Sequence, residues 1–189
     1  KTKGYGQIKR LYTSFRRIYE KEALNTPNQK PDLVIVEDSN SGFQFFRQVF
    51  DEWKIPCISA NGKSNICAEI EKTPIGTTVL IIADGAAFGP EIEKTLAQRR
   101  KRKIILFLPE SFEWMILSSE LFSDTQTKEM LQNPENTIES STFFSWERFF
   151  TKYLTDKTKD TYLHYGKREL NPVYLQDHEK AAIMKGFPE

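Results

Sequence analysis

The sequence is short of cysteine, of net charge and of long apolar runs, and each shortage excludes something. Cys57 and Cys67 are its only two cysteines, too few for a disulfide framework, so a reducing compartment is expected. Neither has a histidine near it in sequence, which gives a thiol nucleophile no support. The two histidines, His164 and His178, lie far from each other and from any cysteine, so the spacing of a zinc site is missing. The formal net charge is +1, so there is no global basic field of the kind that by itself argues for nucleic-acid binding. No stretch approaches the 18 or so apolar residues of a membrane span and no signal-peptide pattern opens the chain, so a cytoplasmic protein with no membrane partner is expected. The chain begins at Lys1 rather than Met, which leaves open what precedes it.

What is present is a folded, aromatic-rich chain: 39% of its residues are hydrophobic and 14 of the 189 are Phe, enough for one sizeable core. Residues 1–31 read as a basic, Tyr-rich helix or arm (Lys9, Arg10, Arg16, Arg17) ending in a linker from Asn25 to Pro31. From Asp32 strand and helix alternate. Strands are expected at 32–37, 55–59, 77–83 and 104–108, with helices at 41–53 and 64–72, one opened by Gly89-Pro90, and one started by Pro109. Residues 118–189 read as a helical extension packed on the core. Its aromatic helix near 145–154 carries Trp146, Phe149, Phe150 and Tyr153 at core-stripe spacing. The expected fold is α/β and Rossmann-like, with a mostly parallel four-stranded sheet flanked by helices over 32–117.

The chemistry concentrates where strands end. Leu33-Val-Ile-Val36 runs into Glu37, and Val79-Leu-Ile-Ile-Ala83 runs into Asp84. Apolar runs of this kind are strands buried on both faces of a parallel sheet, whose ligands bind beyond the carboxyl ends. Two carboxylates side by side there repel unless a cation or a shared proton lies between them, so the pair suggests a metal site. The alternative is that each acid caps the helix that follows it.

The segments Val34-Ile-Val-Glu37-Asp-Ser-Asn-Ser-Gly42 and Ile81-Ile-Ala-Asp84-Gly-Ala-Ala-Phe-Gly89 resemble the Toprim fold of topoisomerases, bacterial primases and OLD-family nucleases. There a glutamate ends the first strand, and Asp-x-Asp ends a later one. The turn Ser59-Ala-Asn-Gly-Lys-Ser-Asn-Ile66 is similar to the Gly-rich turn of OLD-like relatives, and Leu108-Pro-Glu-Ser-Phe-Glu-Trp-Met-Ile-Leu117 to their acidic helix. The resemblance covers roughly 32–117 and is nearest to small bacterial Toprim-like proteins. It implies a Mg²⁺ site, or one for Mn²⁺, acting on nucleic-acid phosphodiesters. In it Asp84 holds the metal, Glu37 holds it or serves as general acid/base, and Glu113 is a third catalytic acid for which Glu110 could substitute. Asp38, next to Glu37, has a minor role. The chain departs from the pattern at Ala86, which stands where the family has its second aspartate, and it lacks the glycine usual after the glutamate. A catalytically inactive Toprim-like binding or regulatory module is therefore the alternative.

Asn61-Gly62-Lys63-Ser64 suggests a phosphate-binding loop, with Lys63, Ser64 and Asn65 as candidate contacts. A full P-loop needs a glycine where this chain has Cys57, so a plain Asn-Gly turn with Ser64 as N-cap competes with it, and a nucleotide-binding protein is a third reading. The run Arg99-Arg-Lys-Arg-Lys103 precedes the last strand. It belongs to the amino edge of the sheet, away from the acids, and reads as a solvated loop or a second patch for nucleic acid or an acidic partner.

Overall fold

The computed structural model describes residues 30–132 and 145–187; the expected N-terminal arm and most of its linker lie outside them. Four strands, β1 (Leu33–Val36), β2 (Cys57–Ser59), β3 (Thr78–Ile82) and β4 (Lys103–Phe107), form one sheet. Every pairing is parallel and the spatial order is β2-β1-β3-β4. Both faces are covered, as a parallel sheet requires. Successive side chains alternate between them: Val34, Val36, Leu80 and Ile82 join one apolar cluster, while Ile35, Val79 and Ile81 join the other.

Helices α1 (Ser41–Glu52), α2 (Ile66–Lys72), α3 (Gly85–Ala97) and α4 (Phe112–Ser118) connect or follow the strands. Beyond them come α5 (Thr125–Gln132), α6 (Trp146–Thr158) and α7 (Asp177–Met184). The smaller cluster takes Ile66 and Ile70 from α2 and Phe88 and Ile92 from α3. The larger one joins α1 and α4 to the C-terminal helices: Phe45, Phe46, Phe112 and Ile116 pack with Phe149, Phe150, Leu154, Tyr165 and Ile183. The aromatic helix is thus a core stripe, and residues after 118 share a core with the α/β unit. No helix among the described residues is long and apolar enough to cross a membrane.

Two helix starts differ from expectation. Helix α3 begins at Gly85, because the Asp84 carbonyl already accepts the amides of Ala87 and Phe88. Pro90 therefore lies inside the helix. Helix α4 starts after Ser111, whose hydroxyl caps the Trp114 amide at 3.1 Å, and not at Pro109. Glu110 is consequently in the loop before the helix rather than on it.

The basic run does sit at the amino edge, but it is not simply solvated. Arg102 is 8% exposed and turns back onto the end of α2. Its guanidinium donates to the Glu71 carbonyl at 3.0 Å and to the Thr73 hydroxyl at 2.8 Å. It also reaches the Thr73 carbonyl. A cation on the last carbonyls of a helix offsets the negative end of its dipole. Arg102→Ala is expected to cost about 2–4 kcal/mol in urea unfolding, since it strips several partly buried acceptors of a charged donor. A loss below about 0.5 kcal/mol, the level of an ordinary surface residue, would show that the bonds are dispensable.

Candidate functional site

In the order β2-β1-β3-β4, the connection from β1 runs to β2 on one side and that from β3 runs to β4 on the other, so the gap between the carboxyl ends of β1 and β3 is the topological switch point where such folds bind ligands. Glu37 leaves β1 and Asp84 leaves β3 at that gap, paired in register by Val36 and Ile82. The Glu37 amide donates to the Ile82 carbonyl at 2.8 Å, and the Glu37 carbonyl accepts the Gly62 amide at 2.7 Å. Its side chain crosses the gap, where Oε2 accepts the Asp84 amide at 3.0 Å. Asp84 occupies the N-cap position of α3 without a capping bond from its own carboxylate. Helix α1 likewise receives no side-chain cap. Capping of the following helix therefore explains neither acid.

A cleft of about 20 Å³ lies between Glu37, Asp38, Asp84, Gly42, Pro109 and Phe112, room for one water or a bare ion. Gly42 is required by the close approach of α1 and α4: a Cβ there would stand 2.9 Å from Asp38 Oδ2 and 3.2 Å from Phe112 Cβ. Asp38 also accepts the Asn40 amide, which fixes its carboxylate beside the pair.

Glu113 has a different task. It is fully buried in the first turn of α4. Its Oε1 accepts from Tyr165 Oη at 2.7 Å, Thr151 Oγ1 at 3.0 Å and Lys167 Nζ at 2.9 Å. Its Oε2 is buried without a hydrogen-bond partner. Lys167 reaches Glu147 as well, at 3.0 Å, so one ammonium bridges two acids. Tyr165 also meets Ser41 Oγ at 2.6 Å; with its proton on Glu113, it accepts from the serine. Among the described residues no three His, Cys, Asp or Glu side chains are grouped closely enough to hold a metal ion. The structure thus joins Glu37 to Asp84, while Glu113 is the counter-ion of Lys167.

These charges act on one another. Burial pushes the Asp84 carboxyl well above the usual carboxylate range, and Glu147, Glu113 and Glu37 push it further against the pull of Lys167. Burial also raises Glu37, opposed by the Asp84 amide and by Lys63. It raises Asp38 too, opposed by the Asn40 amide and Lys167. Burial works against the Lys167 ammonium, yet Glu113 and Glu147 hold it above the ordinary lysine value.

The turn after β2 contributes one of its three expected residues. Lys63 Nζ donates to the Ala87 carbonyl in the first turn of α3 at 2.9 Å and favours the charged form of Glu37. Ser64 is exposed within a 3-10 turn and caps nothing. The Asn65 amide closes the turn onto the Ala60 and Asn61 carbonyls at 3.0 and 3.2 Å. Asn61 and Gly62 both take positive φ there, 53° and 116°, the conformation that Asn-Gly favours. Sequence reasoning missed Glu147, Thr151, Tyr165 and Lys167, which carry no local motif and reach the site only through the tertiary fold.

Compared with known proteins, the chain matches no protein-family model, no curated protein and no solved structure.

Raised carboxyl values have a definite sign in stability. In the folded state these acids keep protons at higher pH than in the unfolded chain. Their contribution is therefore best near or below the ordinary carboxylate value of about 4, and is lost as pH rises through the raised folded value. Asp84→Asn, which keeps the shape of the side chain and removes its titration, should flatten this slope. In chelator-treated buffer its Tm is expected to exceed wild type by about 2–4 °C at pH 8 and to converge with it near pH 4. Parallel Tm–pH curves would show that Asp84 carries no such burden.

Proposed function

We propose that this chain is a Toprim-like domain that binds Mg²⁺ through Glu37 and Asp84 and acts on nucleic-acid phosphodiesters. The observation that carries the reading is the Glu37 carboxylate bound to the Asp84 amide across the β1–β3 switch point, which sets the two acids on one small cleft. The residues suit the ion. Magnesium takes hard oxygen ligands, commonly one or two carboxylates completed by waters and phosphate oxygens, and a pair rather than a triad is what this gap offers. The cleft is of ionic size, and burial with mutual repulsion leaves these acids in want of positive charge.

Magnesium bound here would supply Lewis-acid polarisation of a phosphoryl oxygen. The chain's own groups do the rest. Asp84 offers the more buried carboxylate as ligand. Glu37 has one oxygen tied to the Asp84 amide, and its raised value fits proton transfer nearer neutral pH. Lys63 steadies Glu37 in its charged form. Glu113, expected as a third catalytic acid, serves this reading by holding Lys167 at the rim.

Two observations favour the inactive-module reading. Lys167 already brings a positive charge to the acids, and Ala86 removes the ligand that a second metal would need.

Titrating Mg²⁺ or Mn²⁺ separates the two. A site with a Kd of about 0.1 mM gains about 2.7 kcal/mol at 10 mM metal, a rise in Tm of about 5–10 °C. Asp84→Asn should abolish that rise. With Mn²⁺, wild type is expected to cut single- or double-stranded DNA or RNA, and Glu37→Gln to lose the cleavage. No metal-dependent shift with either ion would leave the acids to Lys167 and Lys63 and overturn the magnesium site.

A further inference from the structure

Beside the acidic cluster, α6 and the loop carrying Lys167 line an open groove of about 340 Å³, with Glu147, Arg148, Thr151, Lys152, Thr155 and Lys167 along it. We propose that this groove binds the phosphate of a nucleotide unit, with Arg148 and Lys152 as its anchors and Lys167 at its inner edge. The inference rests on the proposed phosphodiester chemistry for its choice of ligand, but the groove stands on separate residues.

The periodicity of α6 builds it. The apolar stripe Phe149, Phe150 and Leu154 faces the core. Arg148 and Lys152, one turn apart, share the opposite side with Thr151 and Thr155. The lining holds three cations and two acids, Glu147 and Asp156; Lys167 is already shared by Glu113 and Glu147, so Arg148 and Lys152 supply the positive charge open to a ligand. Arg148 is exposed and makes no ion pair among the described residues, which leaves its planar fork ready for two phosphate oxygens. The Lys152–Asp156 contact of 2.6 Å is exposed at both ends, at 59% and 63%. Such pairs are worth little, so Lys152 can turn to a stronger acceptor.

Lys167 links groove and cluster. It lines the groove while bonding Glu113 and Glu147 and acting on Asp84 and Asp38. The volume is at the lower end of the roughly 300–1,000 Å³ of small-molecule sites, suited to one nucleotide unit and too small for a duplex.

The test is fluorescence anisotropy with a short labelled single-stranded oligonucleotide in chelator, so that no metal contributes. Wild type is expected to bind in the micromolar range. Arg148→Glu with Lys152→Glu should weaken binding by about tenfold or more and lower the salt slope by about 2, one for each lost phosphate contact. Arg148→Ala with Lys152→Ala should fall between, and this pair decides the matter if the reversed pair does not fold. Displacement of the oligonucleotide by AMP assigns the groove to a free nucleotide, and failure of AMP to displace it assigns the groove to a strand; either supports the proposal. No binding at up to about 100 µM, or equal binding by wild type and both variant pairs, overturns it. A groove that binds in a protein showing no metal shift sinks the magnesium reading alone; a metal shift with neutral groove variants sinks this inference alone.

Discussion

The Lys167 ammonium is the charge on which the carboxyl edge of this fold depends. Parallel strands bring Glu37, Asp38 and Asp84 to one end of the sheet, and α4 and α6 add Glu113 and Glu147. Burying carboxylates costs several kcal/mol each unless they are paired or protonated. Lys167 bonds two of the five directly and moderates two more through its field. The loop that carries it is tied to the start of α1 by backbone and side chain. The Ser41 amide donates to the Lys167 carbonyl at 3.1 Å, and Gln44 donates to the Arg168 carbonyl while accepting the Leu170 amide, both at 2.9 Å. The counter-charge is held in place at both ends, and so is the phenol of Tyr165 beside it.

The opposite end of the sheet solves the inverse problem. There a buried cation, Arg102, is surrounded by carbonyls and a hydroxyl rather than by acids. Neutral acceptors suffice for a guanidinium because it spreads its charge over a planar fork. Carboxylates crowded at a strand end lack that freedom and need a full opposite charge. The two edges are therefore chemically unequal: the amino edge is closed by its own hydrogen bonds, while the carboxyl edge keeps carboxylates whose proton affinity is raised. Only the second leaves chemistry to be done.

How much of this was legible follows from range. The central strands β1 and β3 could be read because each is a β-branched run buried on both faces, whereas the edge strands β2 and β4, only partly buried, were read from the alternation of strand and helix. The acids at 37 and 84 could be read because a strand end fixes where its next residue goes. The start of α3 was misread because proline suits a first helical position so well; the Asp84 carbonyl had already begun the helix five residues earlier, with small Gly85, Ala86 and Ala87. Glu113 was legible as an acid on the right helix but not as a counter-ion, since its partners come from α6 and from a loop without a motif. The run at 99–103 looked uniformly solvated because composition does not reveal that Arg102 alone turns inward.

The tethered lysine also has a consequence for the order in which the chain is made. Synthesis proceeds from the N-terminus, so Glu37, Asp38, Asp84 and Glu113 are all present before Lys167 emerges. Until then Glu113 lacks both its ammonium and the phenol of Tyr165, and its carboxylate favours water over the cluster formed by Phe112 and Ile116. The nascent sheet can pair, but the face under α4 closes only when the residues near 165–170 arrive and lock onto Ser41 and Gln44. A ribosome-bound chain ending before that point would present an open apolar seam, a natural target for chaperones.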